Sequence, residues 1–151
     1  MPQSLSRVWV HAVWHIRYTS PTIRPNDRQP LFRYMGGVLK EFDCIPICIN
    51  GVGNHVHLLF ALSRNYTIAK IIEKVKTSSS RWLKTLGPYY NFFAWQGGYG
   101  IFSVSESIRE RVIRYIQNQE KHHKHKSFEN EYVQLLDKHH VEYDINYLFR
   151  D

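Results

Sequence analysis

The sequence predicts an α+β protein with a ferredoxin-like βαββαβ core, a four-stranded antiparallel sheet and extra C-terminal helices. Three observations carry this. Four short runs rich in β-branched and aromatic residues occur at 8–19, 45–52, 55–62 and 99–105. Helical patterns follow the first and third runs, whereas only a Gly-Val-Gly-Asn turn separates the second from the third. The 151 residues, 43% hydrophobic and 15% aromatic, suit one domain with a real core.

The run 8–19, VWVHAVWHIRYT, has no Gly or Pro and reads as a strand. Three prolines make 21–30 a loop, and Asp27 is placed to cap a helix through LFRYMGGVLKEF. Pro46 marks 45–52 as an edge strand or a bulged one. The run 67–86 is a long amphipathic helix, stopped by Gly87-Pro88. An aromatic, glycine-containing loop leads into the strand at 99–105, where Ser105 can cap a helix through about residue 125. A last helix covers roughly 128–139. The chain is therefore read as a single domain over 1–151. Residues 8–105 form the ferredoxin-like core, and 106–140 carry two added helices. Helices on one face of such a sheet leave the other free to bind something.

Charge is uneven. The whole chain has net charge +7, but residues 1–126 carry +11 and 127–151 carry −4. A basic body favours polyanionic partners. No apolar run approaches membrane-spanning length, so no membrane partner is expected. The N-terminus lacks a long apolar segment of the kind a secretory signal needs, which points to the cytoplasm. Cys44 and Cys48 would lie about 13 Å apart along a strand, too far for a disulfide, in keeping with a reduced setting. No phosphate-cradling Gly-x-x-x-x-Gly-Lys-Ser/Thr loop is present, so no nucleotide cofactor is expected.

Four groups of residues could carry chemistry. His55 and His57, two apart on a strand, share a face and can chelate one divalent ion. A bare His-x-His also fits two polar side chains on a solvated sheet. Tyr115 and Gln119 are i and i+4 on a helix, and Arg111, Asn118 and His122 lie within about 60° of Tyr115 at about 100° per residue. Lys70, Lys74, Arg81 and Lys84 form a basic stripe on the 67–86 helix. Opposite them stand Ile68, Ile71, Ile72, Val75, Trp82, Leu83 and Leu86. Such a stripe suits a phosphate backbone, and it suits a plain solvated face as well. The run Lys-His-His-Lys-His-Lys at 121–126 reads as a basic helix C-terminus, and His11 and His15 as hydrogen-bonded structural residues. The aromatics at 89–99 divide between core packing and possible base stacking.

In combination and in order, Gly-Asn-His55-Val-His57-Leu-Leu, then Trp95-Gln-Gly-Gly-Tyr-Gly-Ile-Phe-Ser-Val-Ser105, then Tyr115-Ile-Gln-Asn-Gln119 are specific. The sequence resembles the single-tyrosine, HUH-type transposases of small bacterial insertion sequences, the IS200-like family, over roughly residues 5–150. The repeat-associated tyrosine transposases are a close relative. The resemblance implies His55, His57 and Gln119 as metal ligands and Tyr115 as nucleophile. It also implies a homodimer with a composite active site, and single-stranded DNA with hairpins as substrate. Lys70, Lys74, Arg81, Lys84 and Arg111 are then the DNA-binding candidates. Mg²⁺ or Mn²⁺ would be the cofactor, with imidazole favouring Mn²⁺. Three neutral ligands would leave the ion its full charge for the phosphate, and the ion together with Arg111 would favour the Tyr115 phenolate.

Three other readings compete. One is an RRM-like module that grips single strands without cutting them. Another is a replication-initiator or relaxase-type nuclease, usually a longer chain. The last is a zinc-dependent small-molecule enzyme, which would want a third histidine or an acidic base that the neighbouring sequence does not obviously supply.

Overall fold

The computed structural model describes residues 2–150. Its strands are β1 (Trp9–His15), β2 (Ile45–Gly51), β3 (His55–Ala61) and β4 (Gly100–Val104). Its helices are α1 (Pro25–Glu41), α2 (Ile68–Lys84), α3 (Arg109–Gln117), α4 (Gln119–His122) and α5 (Phe128–Lys138). The strands form one antiparallel sheet in the order β2-β3-β1-β4. The predicted ferredoxin-like α+β class is what the chain adopts. No described helix is long and apolar enough to cross a membrane.

Alternation along the two central strands builds two different surfaces. Val10, Ala12, Trp14, Val56, Leu58 and Phe60 face α1 and α2 and join Leu31, Met35, Ile71 and Val75 in the main core. Trp9, His11, Val13, His15, His55, His57 and Leu59 occupy the alternate positions and are all buried as well. The second face is therefore not free, contrary to the expectation. Ile116 of α3, flanked by Val112 and Ile113, covers Trp9, Leu59 and Val104. Phe128, Tyr132 and Leu136 of α5 cover Val13 and Phe102, and Leu148 and Phe149 of the acidic C-terminal segment pack on the same cluster. Hydrophobic stripes on α3 and α5 need a surface to bury against, and the open sheet face supplies it. Gly100 permits the close approach of α5. A Cβ there would lie 2.7 Å from a ring carbon of Tyr132.

Element boundaries differ from the sequence reading in instructive ways. β1 ends at His15 because Ile16 turns away to bridge Trp95 across the aromatic loop. α1 starts at Pro25, whose fixed φ suits a first helical position, so Asp27 lies in the first turn and not at the cap. Its carboxylate accepts the Tyr90 hydroxyl instead. Pro46 does mark an edge strand with a register irregularity, between Pro46 and Cys48. Thr67 caps α2 by accepting the Lys70 N–H at 3.1 Å, and Leu86, expected on its inner face, is exposed beyond its end. The helix expected from Ser105 to about 125 is broken. A 3₁₀ turn at Glu106–Ile108 precedes α3, Ser105 makes no cap bond, and a break at Asn118 (φ −94°, ψ 18°) separates α3 from α4.

Candidate metal and tyrosine site

The site lies on the second sheet face, beneath α3, α4 and α5. His55 and His57 project there from β3 with their rings 5.2 Å apart. Gln119, the first residue of α4 after the break at Asn118, is completely buried. α5, capped by the Ser127 hydroxyl, lays Glu131 onto the sheet at 1% exposure.

Glu131 organises everything around it. Its Oε1 lies 3.0 Å from His57 Nε2, 3.0 Å from His123 Nε2 and 3.4 Å from His55 Nε2. Its Oε2 accepts the Gln119 amide at 3.1 Å and the Tyr115 hydroxyl. His122 Nε2 stands 3.4 Å from the same oxygen. Three sequence-derived candidates, His55, His57 and Gln119, and the candidate nucleophile Tyr115 thus converge on one carboxylate. Tyr115 does so within its own chain, so bringing it to the histidine pair requires no second copy. Arg111 is exposed on α3 near Tyr115. Lys70, Arg81 and Lys84 are exposed and Lys74 half-buried on α2, on the opposite side of the sheet from the histidines.

The charge states follow from burial and partners. Burial opposes a charge on Glu131, yet its contacts with His123, His55 and His57 outweigh it and hold the carboxyl well below the usual range. His55 and His57 are pushed below the ordinary imidazole value, chiefly by burial, and are neutral. His123 is drawn upward because its bond to Glu131 outweighs its burial. The Tyr115 hydroxyl is driven well above its ordinary value by burial and then by the Glu131 charge. This corrects the expectation of a favoured phenolate. The group facing the hydroxyl is an anion, not Arg111.

His55, His57 and Glu131 could hold a metal ion, their ligand atoms lying within 4.8 Å of one another. The donor chemistry fits a cation. His55 Nδ1 pairs with Asn54 Oδ1 at 2.7 Å, which fixes the proton on Nδ1 and leaves the Nε2 lone pair facing inward. That lone pair meets Gln119 Oε1 at 3.0 Å and Glu131 Oε1 at 3.4 Å. Three acceptors aimed at one another repel unless a cation sits among them. A second proton on His55 is opposed by burial, and a divalent ion satisfies all three. His57 is oriented in the same way by His11, whose Nε2 lies 2.8 Å from His57 Nδ1. The carboxylate also changes the charge balance, since an ion held here would not keep its full charge for a substrate.

Glu131 and His123 are the residues that sequence reasoning misses, and His11 does more than the purely structural role expected of it. A signal for Glu131 does exist. Phe128, Tyr132, Leu135 and Leu136 form the apolar stripe of α5 at spacings of three and four, and position 131 falls on that stripe. An acid there is buried. The acidic group wanted by the zinc-enzyme reading is therefore present after all, whereas the open sheet wanted by the RRM-like reading is covered.

The same ferredoxin-like framework is found among transposases. The family model described as "Transposase IS200 like" matches residues 4–119, and the chain belongs to that family. The ISDra2 transposase TnpA of Deinococcus radiodurans is 23% identical over 114 residues, 72% of this chain and 81% of that protein. A transposase crystal structure from Deinococcus radiodurans superposes with a TM-score of 0.60 at 19% identity, over 79% of this chain and 98% of the other. The structure of a REP-associated tyrosine transposase bound to a REP hairpin superposes with a TM-score of 0.58 at 11% identity, over 82% and 74% of the two chains. The family match ends at Gln119, so α5 and Glu131 lie beyond it.

Proposed function

We propose that this transposase is a metal-dependent enzyme that cleaves and rejoins single-stranded DNA at hairpin-marked ends, through a 5′-phosphotyrosine intermediate on Tyr115. The observation that carries this is the convergence of Tyr115, His55, His57 and Gln119 on one buried point. His55 and His57 would hold a divalent ion through their inward Nε2 atoms, with Glu131 and Gln119 supplying oxygens. Mn²⁺ suits two imidazoles better than Mg²⁺ does. When bound, the ion supplies Lewis acidity to the scissile phosphate.

The rest is done by the chain. Tyr115 Oη attacks phosphorus, the Oη–P bond forms, and the P–O3′ bond breaks. Glu131 Oε2, already bonded to the phenol, is placed to take its proton, and the leaving 3′ oxygen takes up a proton from water. Phosphodiester energy stays in the covalent link, so a second 3′-hydroxyl can reverse the step without ATP. The ligand atoms are buried under α5, and the gap between α3 and α5 beside Tyr115 is the opening through which a strand would approach them. We also propose a homodimer acting in the cytoplasm, because two element ends call for two tyrosines. Light scattering coupled to gel filtration would test the dimer.

The deciding experiment is covalent trapping. The protein is incubated with labelled hairpin oligonucleotides from DNA flanking its gene, with Mg²⁺ or Mn²⁺, and run on a denaturing gel. A metal-dependent shifted band, lost in Tyr115→Phe and His57→Ala, is expected. Tight binding without a band in all three proteins would leave only a binding module.

A further inference from the structure

A cavity of about 270 Å³ opens beside Tyr115, where α3 and α5 part over β4. Its apolar walls are Val104, Ile108 and Val112 on one side and Leu135 on the other. These belong to the two separate apolar clusters of this sheet face, so the cavity is the gap between them. Arg111 and Lys138 supply its cationic character, and no carboxylate lines it. Arg111 and Lys138 are exposed, which leaves a positive mouth. The His139 ring is held in place by stacking on Phe102 at 4.4 Å. Ser103, Tyr115 and His11 complete the wall, so the cavity adjoins both the nucleophile and the residue that orients His57.

The lining selects among ligands. A small anion alone would have no use for four aliphatic side chains. A peptide or duplex is too large, since the volume lies just below the range of small-ligand pockets, about 300–1,000 Å³. One nucleotide matches both halves, with its base against aliphatic walls and its phosphates facing the cations. Position settles which nucleotide. In an in-line displacement the leaving 3′ oxygen departs on the side away from Tyr115 Oη. The nucleoside on the 5′-phosphate stays tethered to that oxygen through a single phosphorus.

We propose that this cavity is a single-nucleotide subsite holding the nucleoside immediately downstream of the scissile phosphate, and that it makes cleavage selective for the base at that position. The assignment rests on the tyrosine-cleavage reading. Arg111 and Lys138 meet the flanking phosphates, and Val112 and Leu135 sandwich the base.

The test is an abasic walk. Fluorescent hairpin oligonucleotides carry one abasic position, moved a nucleotide at a time across the junction. Their affinity for full-length Tyr115→Phe is measured with Mn²⁺ by anisotropy. One position should weaken binding about tenfold, the order expected when a single base is removed from its packing. Val112→Trp, which fills the cavity, should weaken the intact oligonucleotide to the same degree and flatten the series. Lys138→Glu, an exposed change that spares the core, should weaken every member severalfold at low salt. A flat series in Tyr115→Phe, a dip that survives Val112→Trp in a protein with unchanged circular dichroism, or an indifferent Lys138→Glu would overturn the subsite. Adduct formation by the wild-type protein is scored on the same oligonucleotides. A dip without any adduct would sink the cleavage reading and leave the base pocket standing. Adducts without a dip would do the reverse.

Discussion

The two faces of one sheet are both buried, yet they are built from opposite chemistry. Toward α1 and α2, β1 and β3 present only apolar side chains. Toward α3 and α5, the same strands present His11, His15, His55 and His57 among a few apolar residues. Leu58 and His57 are neighbours in sequence and belong to different worlds. The first face is held by packing, which is non-directional. The second is held by a polar network centred on Glu131, in which each group is tolerable only because its partner is present. A protein can therefore concentrate its stability on one side and its reactivity on the other.

The comparison breaks most sharply at Tyr115. Tyr115→Phe should lower adduct formation on the order of 10⁴-fold or more, while shifting unfolding by about 1.5–3 kcal/mol, the worth of one hydrogen bond to a charged group. Denaturing gels and urea titrations read the two effects. The next test pairs the neighbours. Leu58→Ala should cost about 2–5 kcal/mol and leave Mn²⁺ affinity unchanged in the folded fraction. His57→Ala should abolish measurable Mn²⁺ binding in calorimetry. Equal effects on stability from both would erase the division between faces.

Glu131 sharpens the contrast further. Glu131→Gln keeps the shape and removes a charged ligand oxygen, and should weaken Mn²⁺ binding by more than the roughly 100-fold typical of groups that only orient ligands. The pH profile should separate the faces too. His11, His55 and His57 titrate below the ordinary value of 6.5 in the folded state, chiefly through burial. The unfolded chain then binds more protons just below pH 6.5, so stability falls as pH drops through that range. On the other face, Lys76 of α2 donates to the Gln96 and Gly98 carbonyls, and burial lowers it from 10.5 to about 8. Stability should rise between pH 8 and 10.5 as the unfolded lysine keeps a proton that the folded one has lost. Lys76→Met should remove that alkaline limb and leave the acid limb intact, as denaturant midpoints in chelator would show. The smallest effect is expected from the remote stripe. Replacing Lys70, Lys74, Arg81 and Lys84 by Gln should reduce the salt slope of single-strand binding by about 0.7 for each phosphate that is no longer neutralised.

Much of this contrast was legible in the sequence. Period-two patterning with histidines at 55 and 57 placed both on one face of β3, and Pro46 marked the edge strand that β2 turned out to be. The covering of the second face was not legible. Local spacing says that α3 and α5 are amphipathic, but not which surface they bury. The break at Asn118 escaped as well, because Tyr115 and Gln119 satisfy a continuous helix equally well on paper.

What the sequence determined by itself was whatever depends on short-range periodicity: strands, helices, the His-x-His pair and the Tyr-x-x-x-Gln spacing. Tertiary structure alone decided that Glu131, 74 residues beyond His57, sits between them. It also decided that the tyrosine faces an anion and that the candidate ligand atoms are buried beneath α5. The physical reason is range. A side chain's place in its own strand or helix is set by its neighbours a few residues away. The charge it meets is set by which distant helix finds the sheet.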